Sequence, residues 1–352
     1  MDTIDRTGSA SPRVRFADVQ IEMAHGAGGK ASRRLIEGLI APFFANPVLA
    51  PLSDAAIFSL DGTRVATTAD GYVVKPLQFP GGSIGDLAVN GTVNDLAVSG
   101  ARAHALMATL ILEAGLPSDV LRRKVEAMAN AAKRAGVPIV GGDTKVVEHG
   151  MADGMYVSTF GIGAVDDRAH LGPERIAAGD GVLLTGPIGD HGVTILLARG
   201  DLDFETDLRS DTRSVWPFVE ALLDTCPDGL RWMRDPTRGG VATALNELVR
   251  GSKFGLALSE ERIPLRDEVR GACELLGLDP LHIANEGQML AVVAAADVDV
   301  ALAALRSVPG GESAACIGEV RNAHAGTVTA TNAYGGTRVV DMLVGDPLPR
   351  IC

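Results

Sequence analysis

Glycine fills 42 of the 352 positions, well above the usual share of about 7%, and no other feature limits the fold so strongly. It requires many tight turns and close backbone approaches. Aromatic residues make up only 4% of the chain, so the core must be built from small aliphatic side chains. Ile57-Phe58-Ser59-Leu60, the turn Asp61-Gly62 and Thr63 to Ala69 form a β-hairpin signature. Ser83 with Asp86 three residues on marks a helix start, and that helix is predicted to reach Ser99. Pro117 at the first turn and Gly136 past the end frame a second helix. Lys30 to Ile40 is predicted as a short helix stopped by Pro42.

Strands are expected at 104–112, 139–140, 156–165, 182–184, 256–258, 289–293 and 314–320. Helices are expected near 191–199, 211–224, 240–250, 266–276 and 297–307. Neither half is strictly βαβ, so the expected class is α+β in two domains. A Pro- and Gly-containing stretch at 172–181 suggests the boundary. The expected division is a flexible leader (1–18), an N-terminal domain (19–170), a C-terminal α/β domain (171–343) and a tail (344–352). Pro347 and Pro349 should keep that tail extended.

A net charge of -12 argues against a nucleic acid or an acidic membrane as partner. Any phosphate ligand must then be screened locally, by backbone N–H groups, a few lysines and arginines, or a divalent metal. The four cysteines, Cys226, Cys273, Cys316 and Cys352, include no C-x-x-C pair. The N-terminus has no apolar h-region, and no run of 18 apolar residues exists. A cytoplasmic protein with reduced thiols is expected.

The last residue, Cys352, sits on the most mobile part of a chain, where a thiol can be presented to another active site. The alternative is that a cysteine fell last by accident. His25-Gly26-Ala27-Gly28-Gly29-Lys30 leads into a helix and suits phosphate; a purely structural turn fits it equally. Asp54, Asp70, Asp95 and Asp143 stand mostly at strand ends or in Gly-rich loops, an arrangement of hard oxygen ligands that suits Mg²⁺ carrying nucleotide phosphates. Asp86, Asn90 and Asn94 share a helix face, which an exposed polar surface would also explain. Asn94-Asp95 lies in an otherwise apolar stretch and reads as functional. Arg234-Asp235-Pro236-Thr237-Arg238-Gly239-Gly240 sets two arginines ahead of a helix N-terminus. Glu286 is either an ordinary loop charge or a general base.

Together these segments, with Gly91-Thr92-Val93-Asn94-Asp95, Gly142-Asp143-Thr144-Lys145, Asn285-Glu286-Gly287 and the closing Pro349-Arg350-Ile351-Cys352, resemble a superfamily of ATP-dependent enzymes. It includes aminoimidazole ribotide synthetase, selenophosphate synthetase and thiamine monophosphate kinase. The resemblance is nearest to its hydrogenase-maturation branch, the carbamoyl dehydratases, from about Val19 to Cys352. It implies that a carbamoyltransferase, HypF, loads a carboxamide onto Cys352. This chain would then use ATP and Mg²⁺ to dehydrate it to a thiocyanate, supplying cyanide to a HypC–HypD scaffold for NiFe-hydrogenase assembly. By position, Asp54, Asp70, Asp95 and Asp143 would hold Mg²⁺–ATP. Gly26, Gly28, Gly29 and Lys30 would close over the nucleotide, with Asn94, Thr144 and Arg238 as further contacts. Lys145 would stabilise the phosphorylated oxygen and Glu286 would take the proton. The resemblance also implies a homodimer through the N-terminal sheet. The rivals are another enzyme of the superfamily and a non-enzymatic iron or cyanide carrier. Selenophosphate synthetase would want a cysteine or selenocysteine beside the glycine loop, and none precedes Cys226.

Overall fold

The computed structural model describes residues 15–201, 206–345, 348 and 350–352. Pro347, Pro349 and most of the expected leader lie outside the described residues. The glycine loop runs into α1 (Lys30–Leu35). A π-turn over Ile36–Ile40 carries the helix on into α2 (Ala41–Phe43), so Pro42 does not stop it. The i→i+5 bonding of a π-turn widens the helix where the pyrrolidine ring would otherwise meet a carbonyl.

The hairpin forms as expected, from β1 (Ala56–Leu60) and β2 (Thr63–Tyr72), with Asp61 and Gly62 both at positive φ. A two-residue pair, β3 (Gln78–Phe79) with β4 (Gly82–Ser83), then leads into α3 (Ile84–Val98). The Ser83 hydroxyl accepts from Gly85 N at the N-cap. Nearly every residue of α3 is buried, Asn90, Thr92 and Asn94 included, and these polar side chains are hydrogen-bonded inside. It lies between the N-terminal sheet and the second domain, touching β2 and helix and strand elements of both halves. β5 (Ala101–Glu113) follows, and then α4 (Ser118–Ala135), closed by Gly136 in the left-handed region. β6 (Ile139–Val147) and β7 (Met155–Val165) complete a five-stranded sheet of order β1-β2-β7-β5-β6, parallel only between β5 and β6. The expected strand at 139–140 thus runs seven residues further, through Gly141 and Gly142. A Cβ on Gly142 would collide with the Ala108 carbonyl, so glycine here permits close strand approach and does not signal a loop.

The second domain holds a seven-stranded sheet. Its elements in chain order are β8 (Gly181–Leu184), α5 (Asp190–Arg199), α6 (Trp216–Thr225), β9 (Leu230–Arg234), α7 (Gly240–Val249), β10 (Gly255–Ser259), α8 (Asp267–Leu276), β11 (Leu290–Val293), α9 (Val298–Ser307), β12 (Ala315–Arg321), β13 (Val328–Thr331) and β14 (Thr337–Val340). The helix expected from 211 begins at Trp216, because 211–215 is held in a loop by side chains described below. Strands β9, β13 and β14 were not expected. The fold is α+β, with a mixed sheet in each half. No helix among the described residues is long and apolar enough to cross a membrane.

Candidate active site

Three carboxylates from distant parts of the chain meet where the two domains face each other. Asp54 precedes β1, Asp95 lies on α3 and Asp235 follows β9; one oxygen from each falls within 4.8 Å of the others. Thr68 on β2 donates its hydroxyl to Asp95 at 2.8 Å, and Asp54 is paired to Arg234 at 3.0 Å. Asp70, near the end of β2, receives the Thr92 hydroxyl at 3.0 Å and the Tyr72 hydroxyl at 3.4 Å. Burial raises the pKa of all four carboxyls, and repulsion from neighbouring carboxylates adds to it for Asp54, Asp95 and Asp235. Buried oxygen donors that repel one another are the chemistry of a hard divalent cation site. The sequence marks Asp235 only as part of an arginine-containing motif, because the strand that places it, β9, is not expected from the residue pattern.

The glycine loop packs on the second domain. Gly28 is at φ +79, and a Cβ there would lie 2.7 Å from Cβ and O of Arg238. Arg238 in turn donates to Gly26 O at 2.9 Å. Lys30 is engaged elsewhere, with its Nζ 2.5 Å from Asp341 and its backbone N–H donated to Leu343 O at 2.8 Å.

Glu286 is buried, and its Oε1 has no hydrogen-bond partner. Its main chain is tied down instead. Asp211 accepts the N–H groups of Glu286 and Gly287, each at 3.1 Å. Burial first, then the charges of Asp211 and Asp235, push the Glu286 carboxyl well above its ordinary range. Asn94, expected against the nucleotide, has other employment. Its amide donates to Arg213 O at 3.0 Å and Glu286 O at 3.3 Å, and accepts from Val215 N at 2.8 Å, stapling α3 to the second domain.

The C-terminal tail is docked inward. Beyond β2, Val73 N donates to Cys352 O at 3.0 Å and Lys75 N to Arg350 O at 3.3 Å, so the tail runs antiparallel beside the chain. Ile351 and Leu348 are buried in the core, and Arg350 pairs with Asp153 at 2.5 Å. Arg199 donates to Lys75 O at 2.6 Å and also to Arg350 O. Cys352, Arg238, Gly26 and Gly29 line one cavity of about 600 Å³. Charge at Cys352 is the largest influence raising the Arg238 pKa, ahead of Asp70 and Glu286.

Asp143, Thr144 and Lys145 are not brought to this place within one chain. They lie exposed on β6, the edge strand, where Lys145 and Asp143 pair at 2.6 Å.

Two mixed-sheet domains, an interdomain carboxylate cluster and a glycine loop packed on Arg238 define a protein of the aminoimidazole ribotide synthetase class. The family model for AIR synthase related proteins matches its N-terminal domain at residues 52–165 and its C-terminal domain at 177–331. Carbamoyl dehydratase HypE of Azotobacter vinelandii is 48% identical over 340 residues, spanning 97% of this chain and 99% of that protein. The crystal structure of a HypE–HypF complex matches with a TM-score of 0.83 at 42% identity, over 88% of this chain and 99% of that one. HypE in complex with ATP matches with a TM-score of 0.78 at 45% identity, over 94% and 99%. The chain belongs to the HypE family of AIR synthase related proteins.

Proposed function

We propose that this protein is an ATP-dependent carbamoyl dehydratase that acts on its own C-terminal cysteine. The observation that carries the reading is the docked tail: Cys352 shares a cavity with the glycine loop and Arg238, whose charge is felt by Glu286 and Asp70. The names of the relatives, and the complexes of related HypE chains with ATP and with HypF, support it.

HypF loads a carboxamide, giving Cys352–S–C(O)NH₂. The carboxamide oxygen attacks the γ-phosphoryl group of ATP, ADP leaves, and an N–H proton goes to Glu286. Loss of the second N–H proton then expels phosphate, which carries the original amide oxygen, and leaves Cys352–S–C≡N. Phosphate can depart where hydroxide cannot, so the ATP is spent on making a leaving group. Asp54, Asp95 and Asp235, with Asp70 beside them, are the residues fitted to Mg²⁺, which would neutralise phosphate charge when bound. Arg238, Gly26, Gly28 and Gly29 would hold phosphates from the other side, and Lys30 could join them by exchanging Asp341 for the nucleotide. Asn94 is kept as a staple and not as a nucleotide contact.

Asp143, Thr144 and Lys145 enter this reading through a second copy. The edge strand that bears them also exposes Val140 and Val146, and pairing of N-terminal sheets would cover these and present Lys145 to a reacting oxygen. The tail must move outward for loading and for delivery of cyanide to a HypC–HypD scaffold, in a cytoplasmic setting. Residues 19–170, 171–343 and 344–352 are the working units. Intact mass after incubation with HypF, carbamoyl phosphate and ATP tests the whole reading. It should show a carboxamide on Cys352 followed by loss of water, and a chain lacking Cys352 should gain neither. ATP hydrolysis that ignores carbamoylation would overturn the reading.

A further inference from the structure

His191, at the start of α5, is fully buried and plays no part in the reaction proposed above. One of its ring nitrogens, Nε2, lies 3.0 Å from the carbonyl oxygen of Ile351. A carbonyl can only accept, so Nε2 carries the hydrogen. Nδ1 is then bare and accepts the hydroxyl hydrogen of Ser210 at 2.8 Å. Ser210 Oγ in turn receives Thr212 N at 3.2 Å, and Ser210 N is tied to Pro80 O at 3.0 Å. The ring is also held edge-on against Phe79, with centroids 5.6 Å apart. The residue after Ser210 is Asp211, whose carboxylate fixes the main chain of Glu286 and Gly287. An unbroken path therefore joins the residue before the terminal cysteine to the buried carboxyl: Ile351 carbonyl, His191, Ser210, Asp211, Glu286.

We infer that His191 is a positioning residue that fixes the last peptide of the docked tail and so sets the distance between the Cys352 sulfur and Glu286. It rests on the proposed reading of Cys352 as the carrier of the substrate. A bond to the Ile351 carbonyl is well placed for this purpose, because it grips the backbone one residue from the sulfur and leaves the carboxamide untouched. Further tail contacts, from Val73, Lys75, Arg199 and Asp153, act on Arg350 and on the Cys352 carbonyl from the opposite side. Together they hold the final peptide from both sides.

Two amide substitutions separate this role from a merely structural one. Gln places its NH₂ near the Nε2 position and can still reach the tail, whereas Asn places its own near Nδ1 and can reach only Ser210. In full-length protein carbamoylated at Cys352 by HypF, single-turnover dehydration by His191→Gln should stay within several-fold of wild type. His191→Asn should be slower by about 100-fold, the loss expected from a displacement near 1 Å at a reacting centre. Loading by HypF should be equal in both. Amide hydrogen exchange gives a second readout that needs no dehydration. The N–H groups of Val73 and Lys75, which donate to the tail, should exchange faster in His191→Asn than in His191→Gln. If His191→Gln loses as much as His191→Asn in both readouts, or if exchange at Val73 and Lys75 is unchanged in both variants, the inference is overturned. Should either variant fail to fold, Ser210→Ala carries the same exchange test: faster exchange at these two amides supports the inference and unchanged exchange refutes it. A wild-type protein that forms no thiocyanate would sink the dehydratase reading, while the exchange comparison would still decide the role of His191.

Discussion

Replacing Glu286 by Gln should make the protein more stable and much less active. The side chain is buried, Oε1 has no hydrogen-bond partner, and Asp211 and Asp235 bear on it with like charge. Its folded-state pKa is raised, so the native state binds a proton more tightly than the unfolded chain does. The stability this provides is present at low pH and is lost as pH rises above the ordinary 4.5 of glutamate and through the raised value. At neutral pH, Gln keeps the shape and removes the cost of charging a buried carboxyl beside Asp211 and Asp235. The gain should be on the order of 1 kcal/mol or more, since one pKa unit of differential interaction is worth about 1.4 kcal/mol. Activity should move the other way, because a positioned general base contributes about 10²–10⁴-fold. Single-turnover dehydration of protein already carbamoylated on Cys352, followed by quenched-flow mass analysis, measures the chemical step apart from loading. The wild-type rate should rise with pH as Glu286 ionises, and the variant should lose that dependence. A Gln variant dehydrating at close to the wild-type rate, with an unchanged pH profile, would refute the role of Glu286 whatever its melting temperature.

Arg234 lies between Asp54 and Glu247, at 3.0 and 2.9 Å, and Arg234→Ala would leave two carboxylates facing each other. We expect a loss of about 3 kcal/mol, read by urea unfolding, and recovery of part of it in Mg²⁺. His191 is held at a pKa of about 4 by burial, against 6.5 when unfolded. The unfolded chain binds the extra proton in that window, so this group's contribution to stability falls as pH drops from about 6.5 to 4. Melting curves should show that slope in wild type and lose it in His191→Gln. Gly28→Ala forces a Cβ against Arg238 at positive φ, and should cost about 1 kcal/mol or more while raising the KM for ATP. An unchanged KM would mean that the glycine loop does not position Arg238 for nucleotide.

The features legible from residue type were local. The Asp61-Gly62 hairpin, the Ser83 cap and the Gly136 stop each depend on a few neighbouring residues, and all three formed as expected. Pro42 misled because a π-turn, invisible in residue type, made room for it. Gly141 and Gly142 misled because glycine signals both loops and close strand contact, and only the neighbouring Ala108 distinguishes them. Cys352 was legible only together with the other motifs that resemble the superfamily, since a terminal cysteine by itself fits an accidental position equally well. The meeting of Asp235 with Asp54 and Asp95, the use of Asn94 as a staple, and the path from Ile351 through His191 to Glu286 arise only once the chain has folded. Each joins residues more than a hundred positions apart, so no local pattern encodes it. The raised pKa values of the buried carboxyls follow for the same reason, since desolvation arises only when distant segments close over a charge.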